Sequence, residues 1–242
     1  MSTPYIVSIQ VGKPKALGIK TVANMTNRSK LARISIFKRV LLRTPFMMYI
    51  PWSTAFYKKA VNGKVWLGKC NLSGDGQADL KNHGGPEKAV LAYSAEHYPT
   101  WRSEINCPEL PYGAFAENFT VSGLTEELVC IGDIYSVGGA HLQVSQPRQP
   151  CWKISRRWRI KDLAGRVKAT GRTGWYFRVL TEGYVERGLP LVLLGRPFPQ
   201  WTVARANEIM KHRREDRHAA VGLASCGFLS MNWRTILSAK PP

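Results

Sequence analysis

Short extended segments, separated by glycine and proline, fill the first 195 residues, and this pattern limits the chain to a mainly β fold. Residues 5–11 alternate apolar and polar side chains and end at Gly12, which predicts a strand. Because the segments are short and irregularly spaced, they favour a barrel or a sandwich over a parallel α/β sheet. Further strands are predicted at 65–67, 88–93, 118–121, 133–137, 141–145, 174–180 and 190–194.

Turn and cap residues predict how these elements begin and end. Gly138 and Gly139 lie between two predicted strands and predict a tight hairpin turn, because glycine adopts positive φ at both corners at low cost. Ser94 is predicted to cap a short helix. A second helix is predicted over 160–168, with its end near Gly171. Helices are therefore a minority in this part of the chain.

The pattern becomes helical after two prolines near residue 198. Thr202 is predicted to be the N-cap of the first C-terminal helix. Helices are predicted at 203–213, 217–224 and 229–238. We therefore assign residues 1–197 to a β-barrel domain and residues 198–242 to a small three-helix element, which we expect to dock on the barrel.

The charge of the chain is strongly basic and unevenly distributed. The 242 residues include 35 Lys and Arg against 16 Asp and Glu, a net charge of +19. Residues 1–50 contain nine basic side chains and no acidic one, and six of the nine lie in 24–50. Such a balance marks either a nucleic-acid or anionic-membrane surface, or a face suited to anionic small molecules. No arginine-glycine run or RNA-recognition aromatic signature accompanies the charge, so nucleic-acid binding is the less favoured interpretation.

The start of the chain and its cysteines indicate a cytoplasmic protein without a membrane span. The first residues contain neither a basic nor an apolar leader segment, and the apolar stretch 40–50 is too short to cross a membrane and contains Arg43 and Pro45. The five cysteines are odd in number and form no C-x-x-C pair. We therefore expect reduced thiols, without a disulfide framework or a structural zinc site.

The glycine-rich polar segment 74–88 is the first candidate site. Successive N–H groups at Gly84 and Gly85 can form a concave anion site, to which His83 and Lys88 add side-chain donors. The spacing does not match a P-loop. A solvent-exposed loop is the alternative interpretation, because glycine, aspartate and asparagine dominate turns.

Cys151 is the second candidate. It follows two prolines, which restrict the loop, and has Arg148 and Lys153 close by in the sequence. Neighbouring cations stabilise a thiolate, so this cysteine is the strongest candidate for a nucleophile or a soft-metal ligand. The remaining four are predicted to be inert core residues: Cys70, Cys107, Cys130 and Cys226.

Two further groups of residues are candidates for structural roles. Glu117 and Asn118 either line a site or form the polar edge of a strand. Four large aromatic residues are assigned to the core or to contacts between the barrel and the helices. They are Trp101, Trp158, Trp175 and Trp233.

Four motifs occur in a fixed order along the chain. They lie at 71–90 (NLSGDGQADLKNHGGPEKAV), 114–119 (AFAENF), 142–153 (LQVSQPRQPCWK) and 171–180 (GRTGWYFRVL). Together they resemble the MOSC family, named for the C-terminus of molybdenum cofactor sulfurase, and within it the bacterial YiiM-like branch. The resemblance covers roughly 4–21 and 51–240. The basic segment 24–50 is an insertion relative to the family. A lid, a docking arm and an unstructured passenger segment are the alternative interpretations of it.

The resemblance implies a MOSC-type β-barrel with a few short helices and a pocket for the molybdenum cofactor, in which Cys151 coordinates the metal. Thiolate sulfur is a soft ligand, which suits molybdenum. His83 and Asp75 are the candidates for the proton donor. Around the phosphate of the pterin we place cations and N–H groups from Arg148, Lys153, Lys88, His83, Gly84 and Gly85, with Asn118 and Gln146 as further candidates for the pterin or the substrate.

The activity implied by the resemblance is the reduction of N-hydroxylated compounds, such as hydroxylaminopurine-type bases, to amines. The sequence contains no Rossmann or flavin fingerprint, so an NADPH-dependent flavoprotein reductase is the expected electron donor. A homodimer is a further expectation. The alternative function is that of a non-catalytic carrier, which binds the molybdenum cofactor or another phosphorylated ligand such as pyridoxal phosphate through the same cations. A third interpretation is nucleic-acid binding through 24–50.

Overall fold

The structure is a computed structural model that describes residues 3–17 and 52–239, so the predicted basic insertion at 24–50 lies outside the described residues. Its strands are β1 (Tyr5–Val11), β2 (Lys15–Leu17), β3 (Trp52–Thr54), β4 (Lys59–Ala60), β5 (Val65–Leu67), β6 (Val90–Ser94), β7 (Phe119–Ser122), β8 (Ile134–Val137), β9 (Ala140–Pro147), β10 (Trp175–Thr181), β11 (Gly183–Val185) and β12 (Val192–Gly195). Its helices are α1 (Leu80–His83), α2 (His97–Glu104), α3 (Lys153–Trp158), α4 (Leu163–Thr170), α5 (Val203–Lys211), α6 (Arg217–Ala224) and α7 (Met231–Ser238), with a 3₁₀ turn at Pro86–Lys88. None of the helices in these two ranges is long and apolar enough to cross a membrane.

Eight strands form one curled sheet in the order β12-β8-β9-β10-β6-β7-β1-β4. Within it, β6 and β7 pair in parallel and the other neighbours pair antiparallel. The segment before β12 reaches β1, because Ile6 N donates to Leu189 O at 3.0 Å and Leu191 N donates to Pro4 O at 2.8 Å. The two ends of the strand order therefore approach each other, which confirms the prediction of a mainly β, barrel-like fold.

The main core lies inside this curled sheet. In β9 and β10, core residues such as Val144 and Phe177 alternate with residues on the opposite face of the sheet, as the period of two requires, and several of the latter, such as Ser145, are also buried. The C-terminal helices add to the same core through buried residues that include Leu223, Trp233 and Leu237. The helices thus pack on the barrel in one continuous apolar cluster. The division at residue 197 stays a prediction.

A second apolar cluster supports the segment that carries Cys151. The rings of Tyr93 and Phe115 stack with centroids 4.4 Å apart, and Trp101 Nε1 donates to the hydroxyl of Tyr93 at 2.6 Å. Ile154 of α3 is buried in this cluster. Because α3 begins two residues after Cys151, the packing of Ile154 fixes where the thiol lies.

The hairpin between β8 and β9 forms as predicted, but its turn differs. Val137 pairs with Ala140, which leaves a two-residue loop. Gly138 has φ of 55°, whereas Gly139 is not among the glycines with positive φ, so the prediction of positive φ at both was wrong. The close approach at this turn instead restricts Gly183, since a Cβ there would lie 2.3 Å from the carbonyl carbon of Gly139.

The helix caps were predicted with mixed success. Thr202 Oγ1 accepts from Arg205 N at 3.0 Å and caps α5, as predicted. Gly171 ends α4 with φ of 72°, also as predicted. Ser94 is instead the last residue of β6, and its hydroxyl donates to Glu96, so the predicted cap was wrong. Helix α3 had no strong start signal and was not predicted.

Candidate functional site

A cleft beside β9 contains most of the predicted site residues and consists of two adjoining cavities. Both cavities are lined by the same six residues: Asp79, His83, Lys88, Cys151, Lys153 and Tyr176. The first, of about 70 Å³, adds Lys58, Asp75, Asn118 and Arg148 and is called the cationic chamber. The second, of about 300 Å³, adds Asn82, Gln146, Gln149, Pro150, Trp152 and Asn232 and is called the amide chamber.

Arg148 is the most unusual residue of the cationic chamber. Its side chain follows the end of β9, and the residue is 3% exposed. The Nη1 atom is buried and has no hydrogen-bond partner. Among the described residues, no carboxylate forms an ion pair with this guanidinium. A buried charge without a partner is costly, so the surroundings of Arg148 suit the binding of an anion.

His83 lies at the end of α1 and faces Arg148. Burial, followed by the positive charges of Arg148, Lys153 and Lys88, lowers the pKa of His83 to about 4, and Asp79 opposes the shift. The imidazole is therefore neutral near pH 7, which corrects the expectation that His83 is one of the cations. A neutral imidazole can still donate one hydrogen bond and accept another.

Asp75 connects three parts of the cleft wall. Its Oδ1 accepts from Gly12 N at 2.7 Å and from the ammonium group of Lys58, while its Oδ2 accepts from Asn118 Nδ2 at 2.8 Å. Asn118 in turn accepts from Leu91 N at 3.1 Å, so β1, β6 and the 74–88 loop are joined here. Both oxygens of Asp75 are thus occupied by protein donors, which makes the residue an anchor for its neighbours.

Lys58 is the functional candidate that sequence reasoning missed. Its side chain is 6% exposed, and burial lowers its pKa, an effect that Asp75 opposes. Lys58 precedes β4 in a segment without motif or unusual composition, and its partner lies 17 residues away. Only the contact with Asp75 in the folded structure identifies Lys58 as a residue of the cleft.

Cys151 lies at the junction of the two chambers and is half-buried. Tyr176 of β10 lies beside it. Burial raises the pKa of Tyr176 to about 12, with Arg148 opposing the shift and Cys151 adding to it. The phenol is therefore protonated near pH 7. Lys88 Nζ donates to Asn82 O at 2.8 Å, and burial lowers its pKa.

Gly84 and Gly85 shape the loop and line neither chamber. Gly84 N donates to Leu80 O at 3.2 Å, and a Cβ at Gly84 would lie 2.9 Å from that oxygen. Gly85 has φ of 92° and ψ of 169°, a conformation open mainly to glycine. The N–H group of Gly84 is therefore already bonded to the end of α1, so it is not the free anion donor that was predicted.

Gln146 lines the amide chamber rather than the cationic one. Its Nε2 donates to Pro147 O at 3.1 Å, which fixes the orientation of the amide, and its buried Oε1 has no partner.

Several other candidates lie outside the cleft. Glu117 is fully buried and accepts from the hydroxyl groups of Tyr98 and Thr120 and from two backbone N–H groups, so it holds the fold. Cys130 and Cys226 are buried, as predicted. Cys107 is half-buried and packs against the second apolar cluster. The prediction of a core position was wrong for Cys70, which is exposed in a bend. In residues 3–17 and 52–239, no group of three or more His, Cys, Asp or Glu could hold a metal ion.

Comparison with known proteins identifies the class to which this fold belongs, that of the MOSC domain. The profile of the MOSC domain matches residues 79–192. YflK of Bacillus subtilis is 46% identical over 187 residues, which cover 77% of this chain and 84% of YflK. A protein of Gibberella moniliformis named "Reductase" is 38% identical over 183 residues, which cover 74% of this chain and 32% of that protein.

The crystal structure of YiiM from Geobacillus stearothermophilus superposes with a TM-score of 0.72, at 35% identity, and the match covers 97% of both chains. The chain therefore belongs to the MOSC domain family, in its YiiM-like branch. MOSC domains are associated in general with binding of the molybdenum cofactor.

Proposed function

We propose that the chain is a molybdenum-cofactor-dependent reductase that converts N-hydroxylated compounds, such as hydroxylaminopurine-type bases, to amines. The observation that carries the proposal is the buried guanidinium of Arg148, whose Nη1 atom has no hydrogen-bond partner and which lines the same cavity as Cys151. A phosphorylated cofactor with a soft metal supplies a partner for both groups at once. The relative named "Reductase" supports reduction as the type of reaction.

The residues present fit such a cofactor. The phosphate of the pterin would lie against Arg148, with Lys88 and Lys153 nearby, since guanidinium and ammonium groups form strong, charge-assisted hydrogen bonds to phosphate. Cys151 would provide a thiolate ligand, which molybdenum accepts as a soft donor. When bound, the cofactor supplies the two-electron chemistry, while the protein supplies placement and charge.

The overall reaction consumes two electrons and two protons. The N–O bond of R–NH–OH breaks, the oxygen leaves as water, and R–NH₂ forms. His83 is the group placed to pass a proton, since its imidazole is neutral and makes no side-chain hydrogen bond within the described residues. Asp75 is less suited, because both of its oxygens already accept from the protein. The electrons would come from a separate NADPH-dependent flavoprotein reductase.

A non-catalytic carrier of a phosphorylated ligand is the second candidate, and one observation favours it. Arg148 suits any phosphate, and the cleft also contains two lysines with lowered pKa, Lys58 and Lys88. Such lysines are the kind that react with the aldehyde of pyridoxal phosphate. This carrier would retain its ligand affinity without Cys151.

A reduction assay separates the two candidates. Full-length protein from a host that makes the cofactor would be mixed with an NADPH-dependent flavoprotein reductase and 6-hydroxylaminopurine. We expect the wild type to form adenine, the Cys151→Ala variant to lose at least 99% of the rate, and the Cys70→Ala variant, which alters an exposed thiol, to keep it. Equal rates for the wild type and Cys151→Ala would refute the proposal.

A further inference from the structure

The geometry points to the amide chamber as a selectivity site for a neutral, planar nitrogen heterocycle, which stacks on Trp152 and is recognised at its edge by carboxamides, one of them from the C-terminal helices. This inference rests on the proposed function, because it places the organic part of the substrate next to Cys151. It goes further in assigning roles to Trp152 and Asn232, which neither the motifs nor the cofactor account for.

The two chambers differ in chemistry. The residues specific to the cationic chamber include the charged side chains of Lys58, Asp75 and Arg148. The residues specific to the amide chamber include no charged group: they are four carboxamides, one proline and one tryptophan. Carboxamides match the paired donors and acceptors on the edge of a nitrogen heterocycle, as asparagine and glutamine do with adenine. The charged side chains of Asp79, Lys88 and Lys153 line both chambers, so the uncharged carboxamides are what distinguishes the amide chamber.

Gln146 provides an independent sign that a ligand belongs here. The residue is 3% exposed, and its Oε1 has no partner. The amide cannot turn over without loss of the bond from Nε2 to Pro147 O, so the oxygen stays an acceptor without a donor. A ligand with an N–H group would satisfy it, since an unpaired buried acceptor is unfavourable.

Trp152 is both exposed and held in place. It is 47% exposed although it lines the chamber. Its ring lies 5.6 Å from that of Trp52, and the guanidinium of Arg156 lies 5.7 Å from its centroid. Contacts of this kind restrict the indole to one orientation, so a planar ring can stack on it without first ordering the side chain.

Asn232 is brought to the chamber by the docking of α7. Ser230 N donates to Ser145 O at 2.9 Å, and Met231 N donates to both carboxylate oxygens of Glu87, at 3.2 and 3.1 Å. These bonds come from the two residues before Asn232 and attach the start of α7 to β9 and to the loop of Lys88. Helix α7 therefore contributes Asn232 to the lining of the chamber.

Two calorimetric titrations of the full-length protein test the inference. Cofactor-loaded protein is titrated with adenine, and protein from a host that does not make the cofactor, in which Arg148 has no cofactor phosphate, is titrated with inorganic phosphate. We expect adenine to bind the wild type, Trp152→Leu to weaken adenine binding about tenfold through lost stacking, and Asn232→Leu to weaken it several-fold. Phosphate affinity should change less than twofold in both variants. Trp66→Leu is the matched control, because Trp66 is an exposed indole that contacts Tyr184 and lies in neither chamber.

Adenine affinity that is absent in the wild type, or unchanged in both chamber variants, would overturn the inference. If Trp152→Leu also loses phosphate affinity, its fold is disturbed, and Asn232→Leu then decides, since Asn232 is an exposed helix residue. Neither titration measures metal content or reduction. This inference can therefore fail while the proposed function holds, and the proposed function can fail while this inference holds.

Discussion

His83 and Arg148 share one chamber, and after burial the positive charge of Arg148 is the largest cause that lowers the pKa of His83, to about 4. The two residues therefore have different roles. Arg148 keeps its charge and attracts an anion, while His83 stays neutral and available as a hydrogen-bond donor or acceptor. An anion bound at Arg148 would cancel part of that charge and raise the pKa of His83.

The first prediction concerns this coupling. We expect the pKa of His83, measured by NMR titration, to rise when inorganic phosphate is added, and to rise in the Arg148→Gln variant without phosphate. The two effects have the same cause, the loss of positive potential at the imidazole. A pKa that stays near 4 in both experiments would show that burial alone sets it.

Stability should depend on pH in a window set by the same residue. The pKa of His83 is about 4 in the folded state against 6.5 for an unperturbed histidine, so between these values the unfolded chain binds more protons. The contribution of His83 to stability is therefore complete above pH 6.5 and falls as the pH is lowered towards 4. Urea unfolding at several pH values should show a smaller loss in His83→Gln than in the wild type. Equal losses of stability in the two proteins would contradict the lowered pKa of His83.

Two arginines should respond oppositely to the same substitution. Arg148→Met removes a buried charge that lacks a partner, and we expect it to raise the free energy of unfolding by about 1 kcal/mol while phosphate binding is lost. Arg196→Met breaks the ion pair with buried Asp133, whose oxygens lie 2.7 and 2.9 Å from the nitrogens of Arg196. This variant should lower the free energy of unfolding by about 3 kcal/mol. Denaturant titration measures both. Destabilisation by Arg148→Met would mean that its charge is already compensated.

Lys58 and Asp75 should be energetically coupled. Asp75→Asn leaves the buried ammonium group of Lys58 without a counter-charge and should cost about 3 kcal/mol in unfolding free energy. In the Lys58→Met and Asp75→Asn double variant, part of that cost should disappear, with a coupling energy of about 1–3 kcal/mol. A double-mutant cycle by chemical denaturation checks this. Strictly additive effects would refute the pairing.

Gly84 should tolerate no side chain. Gly84→Ala places a Cβ 2.9 Å from Leu80 O and 3.0 Å from Leu80 Cα, so the end of α1 must move, at a cost of about 1–3 kcal/mol. His83 would move with it, and phosphate affinity should fall. Gly195→Ala is the control, because nothing lies within 4 Å of its Cβ position and its φ is not positive. Equal behaviour of the two variants would contradict the role given to Gly84.

Local sequence signals explain why much of the fold was predictable. Strand β1 and the caps at Thr202 and Gly171 depend on residues next to one another in sequence, so their patterns could be interpreted directly. The need for glycine at Gly183 could not be predicted, because it depends on the backbone of Gly139, which is distant in sequence.

The candidate site divides in the same way. Cys151 and Arg148 lie within one short motif, and both line the cleft. Lys58 and Asn232 come from segments without any motif, and only the pairing with Asp75 and the docking of α7 bring them to the cleft. The charge state of His83 also required the structure, since burial and three cations from two segments determine it.

Molybdenum content per polypeptide, measured by mass spectrometry on protein from a cofactor-producing host, tests the central claim most directly. We expect close to one molybdenum per wild-type chain, less than a tenth of that in Cys151→Ala, and an unchanged content in Cys70→Ala. Equal molybdenum in the wild type and Cys151→Ala, or none in the wild type, would contradict the assignment of Cys151 as the metal ligand.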